Sequence, residues 1–234
     1  MLIKDRNLYI IGHRGSPTLE PENTLRSFVR AVADGAHGIE CDVHVVENQV
    51  VVIHDDSIDR TSNRTGKLSK FTFHELRTFD FGQGETIPTL EEVINITPVN
   101  TLLNVELKGI GSGEYVAGII RRFPEHTIMI SSFHIAELIS FRKYVRRGRN
   151  SRIGILAVVL DDDIITEGQR LQVDSLIVSD IGLDRNRVAT VRKLGLILMV
   201  FTVNNLGRGH QLKKWGISAI ITDIPHCFIQ DPRF

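Results

Sequence analysis

Gly38-Ile39-Glu40-Cys41-Asp42-Val43 is an apolar run broken by two carboxylates, and Gln49-Val50-Val51-Val52-Ile53-His54-Asp55 follows it closely. Side chains alternate between the two faces of a β-strand, so Glu40 and Asp42 point the same way. That spacing suits a hard-cation site or a pair of acid/base groups. Glu47-Asn48-Gln49 reads as a polar turn, which makes 49–53 a second strand folded back on the first and delivers His54 at its far end. Cys41, by the same alternation, faces away from the carboxylates as a small packed hydrophobe.

Working outward, apolar runs recur at 8–12, 37–42, 101–107, 127–131, 153–158, 175–178, 197–202 and 217–222, and each but the last leads into a helical or loop crossover. Leu25, Phe28, Val29 and Val32 repeat at helical spacing before Gly35, as do Tyr115, Val116, Ile119, Ile120 and Phe123. The strands are continuously apolar rather than alternating, as in parallel sheets covered on both faces. Eight of them predict an α/β chain closed into a (β/α)₈ TIM barrel, with a doubly wound open sheet as the alternative. Residues 56–88 break the rhythm: Arg60-Thr61-Ser62-Asn63-Arg64-Thr65-Gly66 is turn-rich, and Thr72 with Glu75 forms a capping box for one short helix. This segment reads as an insertion over one face. Thr89 with Glu92 is a second capping box, opening a helix that Pro98 ends.

At 234 residues with 42% hydrophobic content, the chain can bury the core of one domain, 1–234. Lys plus Arg and Asp plus Glu both total 28, which gives no electrostatic case for a nucleic-acid partner. Cys41 and Cys227 cannot form a disulfide framework and suit a reducing compartment. The opening residues 1–6 lack a long apolar leader, and no run of about 18 apolar residues occurs anywhere. A cytoplasmic protein with no integral membrane segment is the expectation.

In a parallel barrel, chemistry sits where the strands end. His13 and Arg14 end the first strand there, Glu40 and Asp42 the second, Glu106 and Lys108 the third, Ser131 and Ser132 the fourth, and Thr202 with Asn204 the seventh. Three carboxylates with no soft ligand, Glu40, Asp42 and Glu106, predict one divalent cation, Mg²⁺ or Ca²⁺. Arg14 and Lys108 fit phosphate oxygens, one as a bidentate fork and the other as a point charge. With His13 and His54 as proton carriers, the set describes phosphoryl chemistry.

His13-Arg14-Gly15, Pro21-Glu22-Asn23-Thr24, Glu40-Cys41-Asp42, His54-Asp55 with Arg60-Thr61, Pro88-Thr89-Leu90, Glu106-Leu107-Lys108, Ser131-Ser132-Phe133, Thr202-Val203-Asn204, Trp215-Gly216 and Thr222-Asp223 together resemble the ordered motif set of the glycerophosphodiester phosphodiesterases. The resemblance spans nearly the whole chain and is most specific from Gly12 to Lys108. It implies a (β/α)₈ barrel with a small inserted subdomain, and hydrolysis of a small-molecule glycerophosphodiester to glycerol 3-phosphate and an alcohol. It further implies His13 and His54 as the acid/base pair, with Glu40, Asp42 and Glu106 on the cation. His37 departs from the pattern, and 156–166 matches weakly.

Other residues compete for attention. Phe133 and Trp215 are candidate walls of the substrate pocket. Ser131 and Ser132 lack a nucleophile elbow, so rim hydrogen bonding is the reading. His44, His74, His126, His134, His210 and His226 are expected at the surface, Asp161-Asp162-Asp163 at a solvated helix start, and Arg146-Arg147-Gly148-Arg149 at a solvated helix end. Phe71, Phe73, Phe79 and Phe81 could form an apolar surface for a phospholipase-D-like enzyme acting on lysolipids, or the insertion's own core. A non-catalytic phosphodiester-binding module is a further alternative, which an acid/base histidine pair disfavours.

Overall fold

A computed structural model describes residues 8–146, 148 and 151–234 of the chain. The opening residues 1–6, and Arg147 and Arg149 of the basic run, lie outside the described residues.

Eight parallel strands close into a barrel: β1 (Tyr9–Gly12), β2 (Gly38–Val46), β4 (Leu102–Leu107), β5 (Thr127–Ser132), β6 (Arg152–Ala157), β7 (Ser175–Ser179), β8 (Ile197–Phe201) and β9 (Ala219–Thr222). Closure is made by β1, which pairs with both β2 and β9. The open doubly wound sheet is thereby excluded. Strand β3 (Gln49–Val52) runs antiparallel to the far half of β2, pairing Val43 with Val52 and Val46 with Gln49.

The apolar runs are buried on both faces, and the period of two sorts them. Ile11, Leu102, Met129, Leu156, Ile177, Met199 and Ile221 fill the barrel interior. Their strand neighbours Ile10, Leu103, Ile128, Ile155, Leu176, Val200 and Ile220 pack outward under the helices. Cys41 belongs to that outer layer, as its parity requires. On β2 and β4 the inward positions beyond Gly38 and Leu102 are Glu40, Asn104, Asp42 and Glu106, aligned Glu40 to Asn104 and Asp42 to Glu106. Polar side chains thus replace the apolar filling as these strands approach the carboxyl rim.

Helices α1 (Leu25–Ala33), α3 (Leu90–Ile96), α4 (Ser112–Ile120), α5 (Ile135–Tyr144), α6 (Asp162–Arg170), α7 (Arg185–Lys193) and α8 (Leu206–Trp215) follow their strands. Thr24, Thr89, Asp161, Asp184 and Asn205 supply side-chain N-caps, satisfying first-turn amides that would otherwise be orphaned. The apolar face of α4 is Val116, Ala117 and Ile120, whereas Tyr115 turns outward and donates its hydroxyl to Asn48 Oδ1 at 2.7 Å. A final helix, α9 (Pro225–Gln230), lies beyond the sequence expectation; it is short, opened by a proline, and docks through the buried Phe228.

Between β3 and α3 the chain makes a cap with a 3₁₀ turn (Leu68–Lys70) and α2 (Phe73–Leu76), and the Thr72/Glu75 capping box forms as expected. Its core is Val51, Ile53, Ile58, Leu68, Leu76, Phe81 and Ile87, with Phe71, Phe73 and Phe79 packed against it. Phe81 is buried in the cap's own interior, and Phe71, Phe73 and Phe79 are half-buried against it. No helix among the described residues is long and apolar enough to cross a membrane.

Candidate active site

The turn after β1 is built around Gly15. Its φ of +89° is left-handed, and a Cβ there would lie 2.4 Å from Ser27 Oγ. Ser27 Oγ donates to the Arg14 carbonyl at 2.9 Å and accepts from Ser16 N at 2.8 Å, which fixes the turn. Arg14 N then donates to Glu40 Oε2 at 3.0 Å, Arg14 Nε lies 3.2 Å from Asp42 Oδ2, and an Nη donates to Glu22 Oε1 at 2.8 Å.

Glu40, Asp42 and Glu106 each present an oxygen to a common point, the three atoms lying within 4.8 Å of one another. Glu40 Oε1 and Asp42 Oδ1 are buried without a hydrogen-bond donor. Burial, reinforced by Asp42 and Glu106, raises the Glu40 carboxyl well above the ordinary range. Burial and Asp42 push Glu106 up to about 7. Orphaned buried oxygens and mutually repelling carboxylates are what a hard divalent cation would satisfy, and the all-oxygen donor set fits Mg²⁺ or Ca²⁺. Asn23 steadies the group from behind, donating to Asp42 Oδ2 at 2.9 Å.

The two histidines flank this cluster, and each is held by an aspartate. His13 Nδ1 is 2.6 Å from Asp223 Oδ1; Asp223 Oδ2 accepts from Asn204 Nδ2 at 2.6 Å, and Asp223 N donates to Asn204 Oδ1 at 2.9 Å. Burial opposes ionisation of Asp223, yet His13 and Asn204 keep it below the usual carboxylate range. His54 Nδ1 is 2.6 Å from Asp55 Oδ1, and Asp55 Oδ2 accepts from Arg60 Nε at 2.8 Å, which holds Asp55 down at about 2. Arg60 grips both oxygens of Glu22 at 2.6 and 2.9 Å, so one chain of charges runs from Arg14 through Glu22 and the cap residue Arg60 to His54. Lys108 Nζ stands 3.0 Å from His54 Nε2 and 3.0 Å from Glu106 Oε1. An ammonium has only donors, so His54 Nε2 accepts and its proton sits on Nδ1, toward Asp55. Burial lowers the His54 pKa in keeping with a neutral ring.

His13, Arg14, Glu40, Asp42, His54, Glu106 and Lys108 are thus brought together on β1, β2, β4 and the β3 extension. Phe133, 40% exposed at the end of β5, has its ring centroid 5.9 Å from Lys108 Nζ. Trp215 is not brought to the mouth. It ends α8, just before β9 starts and so at the far end from the rim, and its ring lies under the Arg208 guanidinium in a surface groove with Arg185, His210 and Lys214. The helix that carries it runs away from the rim, which is the physical reason. Ser132 Oγ donates to Leu107 O at 2.7 Å and accepts from His134 N at 2.9 Å, a rim hydrogen-bonding role. His44 is half-buried rather than fully exposed, and its Nε2 contacts the His54 carbonyl at 3.1 Å. Glu22, Asn23, Asp55, Arg60 and Asp223 complete the site without having been singled out from sequence, although all fall in the motif stretches quoted above, and Asn204, expected at the rim, is the residue that holds Asp223.

A closed (β/α)₈ barrel with a carboxylate cluster, two aspartate-held histidines and two basic groups at its carboxyl rim defines a phosphate-ester enzyme of the barrel class. The profile of the family described as Glycerophosphoryl diester phosphodiesterase matches residues 13–226, and the chain belongs to that family. It is 34% identical over 235 residues to the glycerophosphodiester phosphodiesterase of Caldanaerobacter subterraneus, covering 94% of this chain and 96% of that one. A Bacillus altitudinis glycerophosphodiester phosphodiesterase is 29% identical over 234 residues, covering 92% and 94%. Among solved structures, an Oleispira antarctica phosphodiesterase in complex with its product sn-glycerol-3-phosphate superposes with a TM-score of 0.87 at 27% identity, covering 94% of each chain.

Proposed function

We propose that this enzyme hydrolyses glycerophosphodiesters to sn-glycerol 3-phosphate and an alcohol, using one divalent cation, Mg²⁺ or Ca²⁺, held by Glu40, Asp42 and Glu106. The observation that carries the reading is the orphaned pair Glu40 Oε1 and Asp42 Oδ1 beside Glu106, flanked by two histidines whose Nδ1 atoms are each held by an aspartate. The product bound by the Oleispira antarctica relative supports the substrate class. When bound, the cation supplies charge stabilisation on the phosphoryl oxygens.

Arg14 and Lys108 add fixed positive charge on the same oxygens, and Phe133 walls the outer side of the phosphate. His54, unprotonated at Nε2 where it accepts from Lys108, with that ammonium disfavouring a second proton, is the base that takes the attacking hydroxyl's proton. His13, its Nδ1 held by Asp223 at 2.6 Å, is the acid that protonates the departing alcohol. Asp223 and Asp55 act as positioning residues through these rings. The attacking group is the glycerol hydroxyl next to the phosphate, which gives a cyclic phosphate; the histidines then exchange roles as water opens it. A binding module would need no such pair of held rings, which favours turnover. The balanced charge and two unpaired thiols favour a reducing, cytoplasmic setting, and barrel and cap are read as one functional unit.

The test is release of sn-glycerol 3-phosphate from glycerophosphocholine by the purified protein, beside an analogue lacking the neighbouring hydroxyl. Turnover of the first and none of the second is expected. Equal turnover of both would replace the cyclic route by direct water attack, and turnover of neither would overturn the assignment.

A further inference from the structure

Four successive loops on one side of the mouth end in exposed apolar side chains. Ile110 after β4 is 93% exposed, Phe133 after β5 40%, Val158 and Val159 after β6 54% and 52%, and Ile181 after β7 67%. Among the described residues, Ile110, Ile181 and Val158 are the three most exposed large apolar side chains. Chance exposure scatters such residues singly, whereas these occupy adjacent loops of neighbouring strands.

Polar clamps inside the rim hold the tips out. Glu137, buried at the start of α5, accepts from Gly111 N at 2.8 Å and Gly113 N at 2.9 Å, fixing the turn that projects Ile110. Arg208 grips both oxygens of Asp180 and donates to the Leu183 carbonyl at 3.0 Å, fixing the turn that projects Ile181. The crest is also continuous with the mouth, because Phe133 stacks edge-on to Phe201 at 6.0 Å and faces Lys108.

We propose that this crest seats the mouth of the barrel on the surface of a zwitterionic, choline-headgroup phospholipid layer. A second copy or another protein seated on the crest would cover the mouth it borders, whereas a fluid lipid layer admits the loop tips and leaves lateral access. The charge around the crest selects the lipid: Asp161, Asp162, Asp163 and Asp184 outnumber Arg185 and Arg187 on the loops after β6 and β7, Lys67 and Lys70 in the groove beside Ile110 are matched by Glu47, Asp56 and Glu75, and Lys108 is turned inward to Glu106 and His54. Attraction to anionic lipid needs an excess of clustered Lys and Arg at the contact face, which the described residues of this rim do not supply. Insertion of loop tips then rests on apolar transfer, as for interfacial segments generally.

The experiment is flotation of the full chain with phosphatidylcholine vesicles, with and without added anionic lipid, beside Ile110→Ser/Ile181→Ser and Val158→Ser/Val159→Ser. The wild type should float with pure phosphatidylcholine, gain nothing from anionic lipid, and exceed each double variant at least tenfold in partition coefficient. Turnover of dissolved glycerophosphocholine should be equal in all three proteins. Because Trp215 is the chain's single tryptophan, Ile110→Trp in a Trp215→Phe background reports the tip directly, and its emission should shift to the blue on vesicles. No flotation, equal flotation of the serine variants, or binding that appears only with anionic lipid would overturn the proposal.

Discussion

The two halves of the rim are built on the same barrel and differ in almost everything else. On β9, β1, β2 and β4, charge is paired densely: His13 with Asp223, Arg14 with Glu22 and Asp42, His54 with Asp55, Lys108 with Glu106. On β5, β6 and β7 the loops carry Phe133, Val158, Val159 and Ile181 into solvent. The first half places two histidines and two basic side chains around three carboxylates, and its groups hold one another in fixed orientation. The second half has little to orient and is shaped for contact. On the proposed reading, proton transfer and cation binding draw on β9, β1, β2, β4 and the β3 extension, and of the opposite loops only Phe133 faces the phosphate site.

If the comparison holds, the largest effects fall on the first half. His54→Ala and His13→Ala should each lower kcat by roughly 10²–10⁴-fold, the usual size of a general acid/base contribution, with unchanged circular dichroism. A rate within a few-fold of wild type for either would dissolve the division of labour. The cation site comes next. Glu106 is raised from 4.5 to about 7, so the folded state binds more protons than the unfolded state between those values. Its contribution in metal-free protein therefore declines as pH rises from about 4.5 to 7, by on the order of 3 kcal/mol. Thermal unfolding of the EDTA-treated protein at pH 5 and 7.5, compared with Glu106→Gln, should show a shallower slope in the variant, where Glu40 is the raised carboxyl that is left, and added Mg²⁺ should abolish it through binding to the folded state. The same slope in both proteins would sink the assignment.

The smallest effect sharpens the comparison from the other side. Glu137 touches no catalytic group, and Glu137→Ala leaves the amides of Gly111 and Gly113 without their acceptor. A loss of about 2–3 kcal/mol, or several degrees in Tm, is expected from two hydrogen bonds to a buried carboxylate. An unchanged Tm would mean that the clamp does not hold the Ile110 loop.

Most of the barrel was legible because its strands are buried on both faces and read as unbroken apolar runs, from 8–12 to 217–222. Glu40, Asp42 and Glu106 were legible for a local reason, the i, i+2 spacing that puts carboxylates on one face of a strand. Asp223 was not, because its partner His13 lies 210 positions away and only the β1–β9 pairing joins them. The Arg14–Glu22–Arg60 chain was hidden likewise, since the cap folds back over the rim by a route that no local pattern encodes. Trp215 misled because its neighbours in sequence say nothing about which end of the barrel a helix terminus occupies. His44, expected at the surface, is half-buried because the β2–β3 hairpin sets it against the His54 carbonyl. Helix α9 is too short for a periodic signal.

The measurement that bears most directly on the account is sn-glycerol 3-phosphate release from glycerophosphocholine after EDTA treatment, followed by restoration with Mg²⁺ or Ca²⁺, in wild type and Asp42→Asn. Loss with EDTA, recovery with one of the two cations, and no recovery in the variant are predicted. Full release in EDTA, or full release by Asp42→Asn, would contradict the role given to the three carboxylates.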